Sequence, residues 1–207
     1  MRNLGILGIA GVLALFLAGC GGGDGSSTVV IQSLSDQAAD GDIGFTPPGT
    51  FLISQANDTG SVQYGLDPGG TEFQAFLDFP LDGSTGGGVV PLGAVIVSAD
   101  IEFFVNNVTF ASFVPTVMDL VTFPITGLTT GDFNSVPLAT RAPFDILLSD
   151  INNLVRIDVT SFMVEAQRLG LRDLQVRFLI ETLGATGVVQ IDNDLEATAP
   201  LLTVEYR

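Results

Sequence analysis

The sequence contains no histidine, no lysine and no tryptophan, and only one cysteine. Each absence excludes a chemistry. Without histidine there is no Ser-His-Asp triad and no Cys-His pair. Without histidine, and with one cysteine, there is no ordinary zinc site. Without lysine there is no phosphate-binding P-loop, no Schiff base and no Ser-Lys dyad. Positive charge is scarce as well: 7 arginines stand against 17 Asp and 6 Glu, a formal net charge of −16. No basic run exists, so nucleic acid is not an expected partner.

What is present fits a globular chain. Hydrophobic residues make up 46% of the 207 positions, enough to bury a core. The length suits one domain of ordinary size. The 25 glycines and 10 prolines favour many turns over long helices.

After Arg2 the chain runs through LGILGIAGVLALFLAG to Gly19. This apolar stretch is too short and too rich in small residues for a comfortable membrane-spanning helix, and has the length of a secretory h-region. It ends in Leu17-Ala18-Gly19-Cys20, which resembles the bacterial lipobox. The resemblance implies a lipoprotein signal peptide over 1–19 and cleavage before Cys20. It also implies lipidation of Cys20, with acyl chains of the palmitate type, and so a membrane anchor. Two or three such chains hold firmly, at ~0.8 kcal/mol per buried CH₂. A secretory peptide with an incidental cysteine is the alternative. Gly21, rather than Asp, follows Cys20, a pattern that implies the cell outer membrane in a Gram-negative envelope. A lone cysteine leaves no disulfide within the chain. Residues 20–48 read as the lipidated cysteine and a flexible tether opening CGGGDGSST, and 49–207 as the domain.

The body reads as all-β. Turn signals recur at short intervals, among them Pro47-Pro48-Gly49, Asp67-Pro68-Gly69-Gly70, Asp82-Gly83 and Thr130-Gly131-Asp132, with β-branched and aromatic runs between them. That spacing predicts a sandwich or barrel. Val97, Ala99, Ile101, Phe103 and Val105 alternate with polar residues, as do Leu174, Val176, Phe178 and Ile180, and Leu202, Val204 and Tyr206. Strict alternation predicts one buried and one wet face. Phe73–Phe79 is apolar enough to be buried on both faces. One stretch, TSFMVEAQRLGL from Thr160, has helical period instead: Phe162, Ala166 and Leu169 share a face. It predicts one short helix over about 160–169, N-capped by Thr160 or Ser161 and closed by Gly170. Asp145–Asn152 is a candidate second helical turn.

The order of landmarks resembles the bacterial surface β-sandwich family of DNRLRE domains, which overlaps with carbohydrate-binding modules that include alginate binders. The matching stretches are Gln74–Leu81, Pro91–Ile101, Arg156-Ile157-Asp158-Val159-Thr160 and the terminal Pro200-Leu201-Leu202-Thr203-Val204-Glu205-Tyr206. The resemblance spans about Phe51–Arg207 and implies a jelly-roll-like antiparallel sandwich. The chain departs from the family pattern in lacking its tryptophans, in carrying Leu195 where the pattern has arginine, and across Asn107–Ser149.

Candidate sites are few. Asp192, Asp194 and Glu196 stand at alternating positions; in an extended loop their carboxylates would converge, and oxygen-rich clusters suit calcium. A solvated acidic loop is the alternative. Asp40-Gly41-Asp42 reads as a plain turn. Asp158 fits the satisfaction of free N–H groups at a helix start better than acid–base catalysis. Tyr64, and Phe104 on the polar face of its strand, are candidates for stacking on a sugar ring. Arg168 and Arg172 could meet an acidic sugar or pair with Glu165 and Asp173. The leading functional expectation is a non-enzymatic, lipid-anchored surface protein that binds polysaccharide. The alternative is a structural or adhesion module that meets envelope or extracellular proteins. A third reading is a small enzyme working through carboxylates alone, set across a cleft at ~5–10 Å.

Overall fold

The computed structural model describes residues 27–181, 184–194 and 198–207. The lipobox with Cys20, and Glu196 with its two neighbours, lie outside the described residues. The first strands along the chain are β1 (Val29–Leu34), β2 (Gly41–Thr46), β3 (Thr50–Gln55), β4 (Ser61–Leu66), β5 (Glu72–Pro80), β6 (Ile96–Thr109) and β7 (Phe113–Val121). They are followed by β8 (Ala139–Thr140), β9 (Phe144–Leu147), β10 (Leu154–Asp158), β11 (Asp173–Ile180), β12 (Gly187–Asp192) and β13 (Leu201–Tyr206). A single helical turn, α1 (Ala56–Thr59), and one helix, α2 (Thr160–Leu169), interrupt them. No helix among the described residues is long and apolar enough to cross a membrane.

The fold is an antiparallel, sandwich-like sheet with one short helix, as the turn spacing predicts. Hydrogen bonding runs unbroken in the order β1-β13-β6-β12-β4-β5-β11-β7-β8, so the two layers belong to one sheet folded over itself. Strand β6 makes this possible. Its first half pairs with β13 and β10, and its second half, from Val105, pairs with β12. Ala99, Ile101, Phe103 and Val105 from β6 pack into one core with Ala75, Leu77 and Phe79 of β5 and Leu174, Val176 and Phe178 of β11. Phe103 meets the Phe178 ring edge-on at 5.3 Å between centroids.

Helix α2 has the bounds its apolar period predicts, and Gly170 closes it in the left-handed conformation at φ 67°. Its start differs. Val159 is the N-cap residue and no side chain caps from there; Asp158 accepts the Thr160 N–H at 2.8 Å, while the Thr160 hydroxyl accepts the N–H of Ala99 at 3.0 Å. The polar pair thus ties the helix to β6. The candidate turn near Asp145–Asn152 is a short 3₁₀ segment, Leu148–Asp150.

Three expectations need correction. First, the domain does not begin at 49. β1 pairs with β13 over six residues and β2 pairs with β5, so much of the expected tether is sheet. Polar composition hid the alternation of Ile31 and Ser33, both buried. Second, Gln175 and Arg177 are not on a wet face; they are 4% and 5% exposed. The connection between β7 and β8 folds over the outside of β5, β11 and β7. It builds a second core from Phe123, Leu128 and Phe133 against Ile43, Phe76 and Val121. Third, Asp40-Gly41-Asp42 is no surface turn. Asp40 is fully buried and accepts from the Asp78 N–H at 2.6 Å and the Asn193 amide at 2.8 Å.

Close backbone approach explains one glycine. Gly65 of β4 lies at φ 126°, and a Cβ there would sit 2.0 Å from the Gly187 carbonyl oxygen. Gly65→Ala is expected to destabilise the fold by about 2–3 kcal/mol, from strain and loss of β4–β12 pairing. Urea unfolding of the full chain in detergent checks this; a midpoint equal to wild type would contradict the packing described.

Candidate functional site

The aromatic side chains that could meet a ligand are not the two singled out by strand pattern. Tyr64 is fully buried. Its hydroxyl pairs with Thr116 at 2.9 Å and its ring stacks on Phe178 at 5.5 Å. Burial holds its phenol well above the ordinary tyrosine range. Phe104 is half-buried, opposite Leu154 of β10. Among the described residues the exposed aromatics are instead Phe110 and Phe113, 60% and 49% exposed, at the β6–β7 connection. Phe110 has φ 65°, a conformation that disfavours a side chain with a Cβ and is found mostly in glycine, asparagine and aspartate. A large ring held there in solvent combines two unfavourable features. Such an observed outlier is a pointer toward function.

Phe110 and Phe113 line an open cleft of about 760 Å³ together with Pro115, Asp145 and Glu181. The sheet places the last three. Pro115 of β7 stands opposite Asp145 of β9, and on its other side its carbonyl accepts the Glu181 N–H at 2.9 Å. Asp145 on β9 and Glu181 just past β11 thus lie on either side of Pro115, with their backbones about 10 Å apart at two strand spacings. Both residues are exposed. An aromatic floor edged by carboxylates suits a ligand with an apolar face and a hydroxyl-bearing rim.

The cleft and the chain's entry lie at opposite ends of β6. Val29 pairs with Tyr206, which pairs with Ile96, the first residue of β6, whereas Phe110 follows Thr109, the last. Fourteen residues of strand separate them, roughly 40 Å of rise.

The acidic loop behaves differently from a ready cation site. Asp192 ends β12, and its carboxylate accepts from the Thr198 hydroxyl and, at 3.4 Å, from the Asp194 N–H. Asp194 is exposed, and Glu196 lies outside the described residues. Among the described residues no group of three or more carboxylates, histidines or cysteines is set to hold a metal ion. The residue that anchors this loop is Asn193, which the sequence did not single out. It gives its amide to Asp40, takes the Ser35 hydroxyl at 3.3 Å and the Gln37 amide at 2.6 Å, and donates its N–H to Gly60.

Arginines are mostly committed internally. Arg168 forks onto Glu165 at 2.6 and 2.7 Å, Arg156 pairs with Asp100 at 2.8 Å, and Arg177 is buried against Asp119 at 2.6 Å. Arg141 donates to the carbonyls of Asp158 and Ala142 and lies 4.9 Å over the Phe144 ring. Thr160 and, less strongly, Arg141 hold the Asp158 carboxyl below its usual range, in keeping with a helix-start role. Arg168 thus pairs with Glu165 on the surface, and Arg172 is exposed.

No family model matches the sequence, and no curated protein matches it. Among solved structures, a chain in the structure of infectious bursal disease virus, Gx strain, aligns over 95% of this chain and 41% of its own length, at 13% identity and a TM-score of 0.15. That likeness carries no argument.

Proposed function

We propose that this chain is a lipid-anchored surface protein that binds a neutral polysaccharide without cleaving it, through the cleft of Phe110 and Phe113. The observation that carries the reading is Phe110 itself, a solvent-exposed ring in a disfavoured backbone conformation beside a second exposed ring. The apolar face of a sugar stacks on such rings, while its hydroxyls donate to Asp145 and Glu181 in charge-assisted bonds. Two carboxylates at the rim disfavour a uronate polymer, and no arginine is among the described residues that line the cleft. The lipobox-like Leu17-Ala18-Gly19-Cys20 supports the anchor. The placement of the cleft at the far end of β6 from the chain's entry supports a site presented away from the membrane. Resemblance to carbohydrate-binding sandwiches favours the same reading.

Affinity electrophoresis of the full chain in detergent, against neutral glucans, mannans and xylans and against alginate, tests it. Retardation by a neutral polymer and not by alginate, with no reducing ends released, is the expected result. Running each gel with calcium and with chelator decides whether Asp192, Asp194 and Glu196 contribute. Release of reducing ends would replace binding by hydrolysis at Asp145 and Glu181. No retardation by any polymer would shift the weight to a protein-binding module.

A further inference from the structure

We propose that the seam between the two layers holds a second sugar subsite, built from Asp42, Ser54, Gln63 and Gln190, which takes the hydroxyl edge of a neutral sugar unit. The inference rests on the glycan-binding reading and extends it to a second cavity along β12 from the aromatic cleft.

The seam exists because β4 pairs with β12 along its whole length but with β5 only at Gly65 and Leu66, and stands away from β5 over its earlier residues. Strand β2 pairs with β5 from Glu72 to Phe76, including the two residues that also pair with β4, so it runs along the other edge of β5. Between β2 and the departing β4 a gap of about 320 Å³ opens, lined by Asp42, Ser54, Thr59, Ser61, Gln63 and Gln190. Asp42 closes its base. The residue is 4% exposed, sits opposite Ser54 in the β2–β3 ladder, and accepts the Gln63 N–H of β4 at 3.3 Å, where a strand carbonyl would otherwise stand. Burial pushes its carboxyl up to about 7, against the opposing hydrogen bonds from the Gln63 N–H and the Ser54 side chain.

Above the gap, Gln63, Gln190 and Asn107 stand in one register row across β4, β12 and β6. Gln190 is oriented by a 2.8 Å bond from its amide to the Ser61 hydroxyl. The lining therefore offers amide and hydroxyl donors beside carboxylate and amide acceptors. A sugar hydroxyl, which both donates and accepts, can use all of them. A phosphate or uronate would meet Asp42 with like charge. An ammonium would satisfy Asp42 but leave the amide donors idle. Gln190 is four residues along the chain from Thr186, which lines the aromatic cleft, so about 13 Å of strand separates the two sites. That separation is short enough for one oligosaccharide to touch both, and two weak contacts on one ligand multiply.

The test is a side-chain NMR titration of the full chain in detergent micelles with cellotetraose and mannotetraose, with glucosamine as the ammonium probe. The expected result is a saturable shift of the Gln63 and Gln190 side-chain amides together with the Phe110 and Phe113 rings. Gln190→Ala should weaken the response at Gln63 by about tenfold and leave the rings responsive, which also reports that the fold is intact. Shifts confined to the rings would overturn the seam site and leave the aromatic cleft standing. Shifts confined to the seam would support this inference and remove the cleft. A response to glucosamine alone would overturn the neutral-sugar assignment. Silence to all three probes would overturn both readings.

Discussion

Asp119→Ala is expected to destabilise the fold by about 3–5 kcal/mol, because it strands a buried guanidinium. The Arg177 and Asp119 side chains are only 6% and 5% exposed. One Arg177 nitrogen meets Asp119 at 2.6 Å, and another donates to the Phe133 carbonyl at 3.1 Å and, at 3.4 Å, to that of Asp132. The other Asp119 oxygen accepts the Thr140 hydroxyl at 2.6 Å. The pair thus joins β7, β8 and β11 to the connection that forms the second core. With Asp119 gone, the two carbonyls and the Ser135 hydroxyl, which accepts from Arg177 at 3.3 Å, cannot neutralise the cation. At about 2–4 °C per kcal/mol for a domain of this size, the melting temperature should fall by about 10 °C. Replacing both partners with apolar residues of similar volume, Asp119→Leu with Arg177→Met, should recover most of the loss. A single-variant loss below about 1 kcal/mol would contradict the packing of Arg177.

The second large effect is an inverted pH profile, with stability falling as pH rises from about 4 to about 7. Burial raises Asp42 and Asp78 to about 7, and Asp40 well above its ordinary value. Asp78 also feels Asp173, Asp36 and Asp82, against a 2.8 Å bond from the Gln175 amide that works the other way. In this window the folded chain binds more protons than the unfolded one, so unfolding releases protons and stability declines with pH. The stabilisation is fully present below the unfolded carboxyl pKa near 3.8 and is lost through about 7, on the order of several kcal/mol in all. The exposed Asp82, Asp158 and Glu165, held below their ordinary values, act in the opposite sense and lose their contribution only at more acid pH. Urea midpoints at pH 5 and pH 8 measure the slope. Asp78→Asn, which keeps an oxygen for Gln175, should flatten it and raise stability at pH 8. A midpoint higher at pH 8 than at pH 5 in the wild type would contradict the burial of these carboxyls.

These buried polar groups mark the limit of what local pattern conveys. Period-2 alternation identified the core faces of β6 and β13, and the helical period the bounds of α2, because each depends on residues a few positions apart. It identified two faces of β11 as different, but not that the wet one is covered, since the covering connection lies some forty residues earlier. Asp40 reads as a turn residue until Asn193, 153 positions away, is brought to it. The stacking candidates failed for a related reason. Phe104 stands out by strand parity and Tyr64 by its loop-flanked strand, while Phe110 lies in the three-residue connection that precedes Phe113, where parity has no meaning. Two aromatics at the short connection between β6 and β7, strands that do not pair with each other, were the available signal.

The most direct measurement of the central claim is calorimetric titration of the full chain and its Phe110→Gly variant, in detergent, with the neutral polysaccharide that retards the wild type most. Glycine suits φ 65°, so this substitution removes the ring while relieving the backbone. The account predicts that affinity falls at least about tenfold while the melting temperature holds or rises. Unchanged affinity, or a loss of stability in step with any loss of binding, would show that Phe110 serves the fold rather than a ligand and would contradict the account.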